Sequence, residues 1–285
     1  MPVVVVGASS SVGRALIPLL VERGPEVRAV VRRRDAADGL RALGAKVAVA
    51  GSPDADSLAM LFHDAHTVCH LAGGIRMPTA AAYEEANLRT VERTVEGARR
   101  AGAARVLLLS TTGAEPGEEN AYLRAKGRAE DLVRASGLEH VIVRATRLVA
   151  PASPWFQDVA ALATRRPVAV VGAGGRSLAP VASADVASAL AAADDRAGAV
   201  SGTFAMEGPD VVTADELVEL VAGSARRPRH LPPGRRASRA LGEGVGPDYL
   251  DLLARDARAD APDAASEFGV PSTPLREAIG WAVRG

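Results

Sequence analysis

The segment Gly7-Ala8-Ser9-Ser10-Ser11-Val12-Gly13 constrains this chain more than any other. It follows a short apolar run, Val3–Val6, and leads into an amphipathic stretch, Arg14–Arg23. A strand, a glycine-bearing turn and a helix in that order leave backbone N–H groups unpaired at a helix N-terminus, and a diphosphate is held by such donors. Gly7 permits the tight turn, and Gly13 lets the helix pack closely on the strand. The small Ser9, Ser10 and Ser11 add hydroxyl donors. Gly7, Ser9, Ser10, Ser11, Val12 and Gly13 are therefore the expected diphosphate-binding residues, although Ser10 stands where such turns usually carry a middle glycine.

The alternation begun there continues. Val27–Val31, Val47–Ala50, Thr67–Leu71, Arg105–Ser110 and His140–Arg144 read as buried strands. Ala36–Leu43, Ser57–Phe62, Ala80–Ala101 and Tyr122–Ser136 read as the helices between them. Apolar strands separated by helical crossovers predict an α/β fold: a Rossmann-type, doubly wound parallel sheet with helices on both faces. Residues 1–150 are expected to form a dinucleotide-binding core. After Pro151 the pattern loosens. Pro154–Thr164 reads as helix, Val168–Val171 as strand, Ser183–Ala193 as helix and Thr203–Met206 as a short strand. Thr213–Ala222 reads as a helix with Thr213 as N-cap and Glu216 in the capping-box position. Residues 151–285 are expected to complete the sheet and form a small C-terminal substrate lobe, the whole being one integrated unit. Ala225–Gly246, rich in Arg, Pro and Gly, reads as a surface excursion or mobile flap.

The strand Val27–Val31 runs into Arg32, Arg33 and Arg34. The residue after the second strand of such a fold faces the adenosine ribose. A carboxylate there accepts from a free 2′-hydroxyl, and an arginine pairs with a 2′-phosphate. Arg32, with Arg33 beside it, therefore points to NADP, with NAD still open. The alternative is a basic helix start exposed to water.

Composition narrows the partners. Lys+Arg and Asp+Glu are each 34 in 285 residues, so no net positive field exists to hold nucleic acid, and 3% aromatic residues make no base-stacking platform. No apolar run reaches the ~18 residues that span a bilayer, and no signal peptide is expected. A lone cysteine, Cys69, excludes an intrachain disulfide and a Cys-based zinc cluster. It fits a reducing cytoplasm and is expected in the core. His63, His66 and His70 have metal-like spacing but fall on a helix end, a loop and a strand, so no metal is expected. The cluster Arg226, Arg227, Arg229, Arg235, Arg236 and Arg239 reads as a solvated loop because acidic residues follow it.

Several segments together resemble the atypical short-chain dehydrogenases/reductases, the NmrA-like and complex-I-subunit-like group of the NAD-dependent epimerase/dehydratase superfamily. They are the Gly7, Ser10, Gly13 turn, Val27–Arg32, Val68–Gly73, Ser110–Pro116, the Tyr122-Leu-Arg-Ala-Lys126 pair, Ser136–Arg144, Leu178–Ala187, Gly208–Leu217 and Phe268–Leu275. The resemblance covers nearly the whole chain except about Arg226–Ala265. It implies that Leu71, Ala72 and Gly73 line the cofactor, that Ser110 lies beside it, and that Ser52 stands near the adenine where the family commonly has an acid. It also gives Lys126 the nicotinamide ribose hydroxyls. Thr111, or failing it Thr112, would hold the substrate oxygen. Asn87 matches a position between central helix and strand, a surface or cap role being the alternative.

The Tyr/Lys spacing has its own logic. Hydride transfer to a carbonyl leaves an alkoxide that needs a proton. Tyr122 can give one if a cation one turn away on the helix, Lys126, favours the phenolate. The expected function is NADPH-dependent reduction of a small carbonyl or quinone-like compound. Trp155 and Phe156 would form an apolar wall, or serve packing alone. Two alternatives stay open: a non-catalytic NADP-binding redox sensor or scaffold, and an NAD-dependent sugar-nucleotide epimerase or dehydratase, against which Arg32 argues. A monomer or a homodimer is expected, with Ala80–Ala101 and Tyr122–Ser136 offering a dimer face. Asp185 is expected to cap a helix starting near Val186.

Overall fold

The computed structural model describes residues 1–223 and 227–284. Six strands are β1 (Val3–Val6), β2 (Val27–Val31), β3 (Lys46–Val49), β4 (Thr67–His70), β5 (Arg105–Thr111) and β6 (Glu139–Ala145). They join an edge strand, Gly202–Met206, in one seven-stranded sheet ordered Gly202–Met206, β6, β5, β4, β1, β2, β3. Every neighbouring pair is parallel. This is the Rossmann-type sheet that the alternating pattern predicts. Strand order reverses between β1 and β4, so the loops at their carboxyl ends part and leave a crevice there.

The helices α1 (Ser11–Glu22), α2 (Ala37–Ala42), α3 (Ala55–Leu61), α4 (Ala80–Glu84), α5 (Thr90–Arg100) and α6 (Ala121–Arg134) alternate with these strands. Burial on both faces explains why β1 is an unbroken run of valines. Val3 and Val5 pack with Leu16, Ile17 and Leu20 of α1, while Val4 and Val6 pack with Leu58 of α3 and Val91 and Val95 of α5. Cys69 lies fully buried in the first of these layers, and burial pushes its thiol well up.

Further along lie α7 (Pro154–Ala163), α8 (Ser183–Asp195), α9 (Ala214–Ala222), α10 (Arg235–Leu241), α11 (Pro247–Leu253), α12 (Ala264–Phe268) and α13 (Leu275–Arg284). α8 packs on α1 and so belongs to the sheet. α7, α9, α10, α11 and α13 gather around Trp155, Leu162, Val170 and Leu217 in a separate apolar cluster. The Thr213 cap and Glu216 form the expected reciprocal box on α9.

Four expectations need correction. Ala80–Ala101 is not one regular helix, because a π-helical turn, Glu85–Arg89, separates α4 from α5. Asp185 does not cap its helix. α8 already begins at Ser183, and the Asp185 carboxylate accepts from the Thr273 amide and hydroxyl, both at 2.7 Å. Ala225–Gly246 is no plain surface excursion either. Arg229–Leu231 pairs in parallel with Ala169–Val171, and α10 buries Ala237 and Leu241, one helical turn apart, against the cluster. Distant contacts override the local breakers there. Finally, α11 and α12 fall where no regular element is expected. Arg227, Arg229, Arg235, Arg236 and Arg239 are exposed as the solvated-loop reading requires, while Ala225 and Arg226 lie outside the described residues.

Candidate functional site

A cleft of about 290 Å³ opens at the carboxyl ends of β1, β4, β5 and β6. Ser9, Ser10, Ser11, Val12, Leu71, Ala72, Gly73, Ser110, Thr111, Tyr122 and Lys126 line it. Gly7 and Gly13 lie beneath its floor. Gly7 has a φ of +80°, and a Cβ there would meet the Ala72 amide at 2.5 Å. A Cβ on Gly13 would meet the Ala8 carbonyl at 2.5 Å. Both glycines are demanded by close backbone approach. Ser10 replaces the usual middle glycine and acts as N-cap of α1, its hydroxyl oxygen accepting from the Gly13 amide at 3.1 Å. Among the described residues the amides of Ser9, Ser11 and Val12 find no acceptor. The first turn of α1 holds no acidic residue. A dinucleotide diphosphate fits this cradle, with amide donors and the helix dipole facing its charge.

Arg32, Arg33 and Ser52 lie outside the cleft lining, exposed where the chain leaves β2 and β3. Arg33 is paired with Asp35 at 2.6 Å.

One side of the cleft is built by α6. Asn120 caps that helix: its Oδ1 accepts from the Tyr122 and Leu123 amides at 3.1 and 3.3 Å. Its amide nitrogen donates to the Asp248 carbonyl and the Asp251 carboxylate of α11, and Asp248 accepts from the Ala121 amide at 2.7 Å. The helix start is thus clamped to the lobe. A Cβ on Gly127 would meet the Glu115 carbonyl carbon at 2.2 Å, so the loop after β5 lies directly on α6. The Tyr122 ring tilts against Tyr83 with centroids 5.7 Å apart. Lys126 is buried and donates to the Leu109 carbonyl at 2.8 Å. Thr111 lines the cleft next to Tyr122, whereas Thr112 does not.

Several influences oppose one another at Tyr122. Burial raises the Tyr122 phenol, and the opposing influences are Arg147 first and the Thr111 side chain second. Lys126 is not among them. Its ammonium is engaged by a strand carbonyl, and burial brings it down from 10.5 to about 8. Arg147, just beyond β6, lines the same cleft and is a cation whose charge favours the phenolate, against the burial that raises it. Sequence reasoning missed it, because an arginine following a buried strand carries no local sign of where its guanidinium goes.

Asn87 is fully buried, so the surface and cap readings fall. Sitting on the π turn, it accepts from the Gly74 amide at 3.1 Å and donates to the Gly74 and Tyr83 carbonyls at 3.0 and 3.1 Å. Tyr83 donates to the Ile75 carbonyl at 2.8 Å. Together they lock the loop after β4 that forms one cleft wall. The Ser110 hydroxyl is committed elsewhere, donating to Glu130 at 2.6 Å. Trp155 lines the cleft, while Phe156 packs in the lobe cluster.

The three histidines diverge. His63 is exposed beside Asp64, and His66 contacts Thr67. His70 is buried on β4 with Nδ1 at 2.9 Å from the Thr94 hydroxyl. That hydroxyl gives its proton to the Thr90 carbonyl, so His70 Nδ1 is the donor. Burial brings its pKa down to about 3.

Residues 7–196 match the family described as NAD(P)H-binding. The chain belongs to that family. This NAD(P)H-binding chain is 29% identical over 241 residues to subunit 9 of the NADH dehydrogenase (ubiquinone) 1 alpha subcomplex of Arabidopsis thaliana mitochondria, covering 80% of this chain and 59% of that protein. It is 31% identical over 166 residues to ceramide reductase of Caulobacter vibrioides, covering 58% of this chain and 52% of that one. The chain therefore spans little more than half the length of either curated relative. The Citrobacter sp. triphenylmethane reductase structure with NADP(H) superposes with a TM-score of 0.78 at 19% identity, covering 99% of this chain and 100% of that one, a likeness of fold. The nicotinamide-dinucleotide binding expected from the glycine turn thus stands. None of the helices described is long and apolar enough to cross a membrane.

Proposed function

We propose that this NAD(P)H-binding protein reduces a small carbonyl or quinone-like compound at the expense of NADPH. The observation that carries the reading is the convergence of Tyr122, Lys126 and Thr111 on the same cleft as the unpaired amides of Ser9, Ser11 and Val12. A bound nicotinamide dinucleotide supplies the hydride. The chain supplies the rest. Thr111 holds the carbonyl oxygen, and Tyr122 gives that oxygen its proton. Lys126 orients the ribose hydroxyls, with Gly73 and Asn87 behind it. The raised phenol suits an acid that must stay protonated until the alkoxide forms. The lobe, residues 151–285 apart from those in the sheet, covers the substrate. The test is NADPH oxidation against aldehydes, ketones and quinones; NADPH binding with no turnover on any of them would overturn the reading.

That second outcome corresponds to a binding-only sensor or scaffold, a reading favoured by the likeness to a dehydrogenase-complex subunit.

Cofactor choice is assigned to Arg32. An exposed charge-assisted contact to a 2′-phosphate contributes ~1.5–3 kcal/mol, so Arg32→Ala is expected to raise the KM for NADPH roughly ten- to a hundredfold and leave that for NADH unchanged. Equal effects on both nucleotides would remove Arg32 from this role.

The pH profile follows from Lys126. Its cationic form prevails below about 8 and is lost above it. Reduction is therefore expected to fall about tenfold per pH unit on the alkaline side of that value, each tenfold corresponding to one proton lost. Lys126→Met should show a lower, flat profile over the same range; a persisting alkaline limb would assign it to another group.

A further inference from the structure

Among the described residues, two buried arginines face carboxylates and a third does not. Arg105 is fully buried and pairs with Glu139 at 2.9 Å, besides two carbonyls. Arg144 is buried against Glu130 at 2.8 Å and Asp260 at 3.2 Å. Arg147 is only 4% exposed, yet its guanidinium makes a single hydrogen bond, to the Leu252 carbonyl at 3.0 Å. Among the described residues no carboxylate lies within ion-pair distance of it. The ionisable groups around it are the neutral phenols of Tyr122 and Tyr249 and the cation of Arg255. A second guanidinium, Arg176, adds to the positive charge, and its buried Nε has no partner. The acids near these arginines are occupied: Asp215 by His230 at 2.9 Å, Asp256 by the Ser177 amide at 2.6 Å, and Asp251 and Glu118 by Arg255.

Arg147 and Trp155 line the cofactor cleft and also a smaller recess of about 20 Å³ behind it, where Arg176 stands among Val159, Leu217 and Leu252. That recess has room for one water-sized group. A guanidinium cannot shed its charge, and burying it without a counter-charge is unfavourable. The same field repels a cationic ligand.

We propose that the substrate carries an anionic group, a carboxylate or a phosphate, which Arg147 grips at the cleft wall, with the charge of Arg176 behind it in the recess adding to the attraction, while the carbonyl carbon lies toward Tyr122 and Thr111. The proposal rests on reading this cleft as the substrate site of a reductase. It turns that reading into a substrate class: a carbonyl compound with an apolar body against Trp155 and an oxyanion at its far end.

Binding tests it without turnover. Hexanoate, hexyl phosphate and hexanol are titrated into the full chain at saturating NADPH, with tryptophan fluorescence and calorimetry as readouts. At least one anion is expected to bind tenfold or more tightly than hexanol, and the tighter of the two identifies the source of the charge. Arg147→Met and Arg176→Met should shrink the preference at least fivefold, and Arg147→Lys should keep part of it. Should Arg147→Met fail to fold, Arg147→Lys and Arg176→Met decide. Equal binding of hexanoate, hexyl phosphate and hexanol to the unaltered protein, or an undiminished preference in the variants, would overturn the proposal. So would an Arg147→Met loss of NADPH affinity as large as its loss of anion affinity, since the arginine would then serve the cofactor. A separate NADPH titration keeps the two readings apart: failure to bind the nucleotide sinks the reductase assignment, whereas the anion-to-hexanol ratio alone judges the subsite.

Discussion

Replacing Tyr122 by phenylalanine is expected to lower kcat for carbonyl reduction by roughly 10²–10⁴-fold, the range a positioned proton donor contributes. NADPH affinity should stay within about threefold, because the variant deletes a hydroxyl facing the cleft and touches no diphosphate donor. The ring itself remains. It is buried and packed against Tyr83 at 5.7 Å, so the fold around it has no cavity to absorb. Steady-state NADPH oxidation read beside a fluorescence titration separates the two effects. A variant as active as the parent would remove Tyr122 as the acid, and equal losses in binding and turnover would mean that the phenol positions the cofactor instead.

Glu130 commands the second large effect, this time on stability. It is fully buried on α6, one turn beyond Lys126. Its carboxylate takes the Ser110 hydroxyl at 2.6 Å, Arg144 Nε at 3.0 Å and Nη2 at 2.8 Å, and Arg134 at 2.6 Å. These bonds tie α6 to β5 and β6 directly below the cleft. Glu130→Leu would leave Arg144 buried with only the more exposed Asp260, at 3.2 Å, and Glu115, at 3.8 Å, to face it. Breaking one side of a buried ion pair costs ~3–5 kcal/mol, a fall in Tm of roughly 10 °C for a chain of this size. Removing both charges, Glu130→Leu with Arg144→Leu, should recover much of that loss, since the charge left without its ion pair, Asp260, is partly exposed to water. Thermal melting of the single and double variants checks both statements. A change below about 2 °C in the single variant would show that Asp260 and solvent already satisfy the arginine.

What could be read ahead of the structure, and what could not, divides by the range of the interaction. The turn from Gly7 to Gly13 was legible because its demands are local: steric approach, a cap and free amides within one turn of helix. The strands were legible because burial on both sheet faces requires apolar runs, and the Thr213–Glu216 box because its partners are three residues apart. The pairing of Tyr122 and Lys126 on one helix face was equally local, yet the electrostatic role given to that lysine was not. Only packing shows that Lys126 turns to the Leu109 carbonyl and that Arg147 enters the cleft wall that holds the phenol. Asn87 belongs to the same class: a helical pattern does not reveal the π turn that presents it to Gly74. The clamp of Asn120 on α11 joins residues more than a hundred positions apart, and no periodicity announces such a partner.

The sequence by itself determined the sheet, the phosphate turn and the identity of the groups available for chemistry, since each follows from contacts within a few residues. Tertiary structure alone decided which charges are neutralised and which are left facing the cleft. The free energy of a charge depends on its depth and on its counter-charge, and both are supplied by distant parts of the chain.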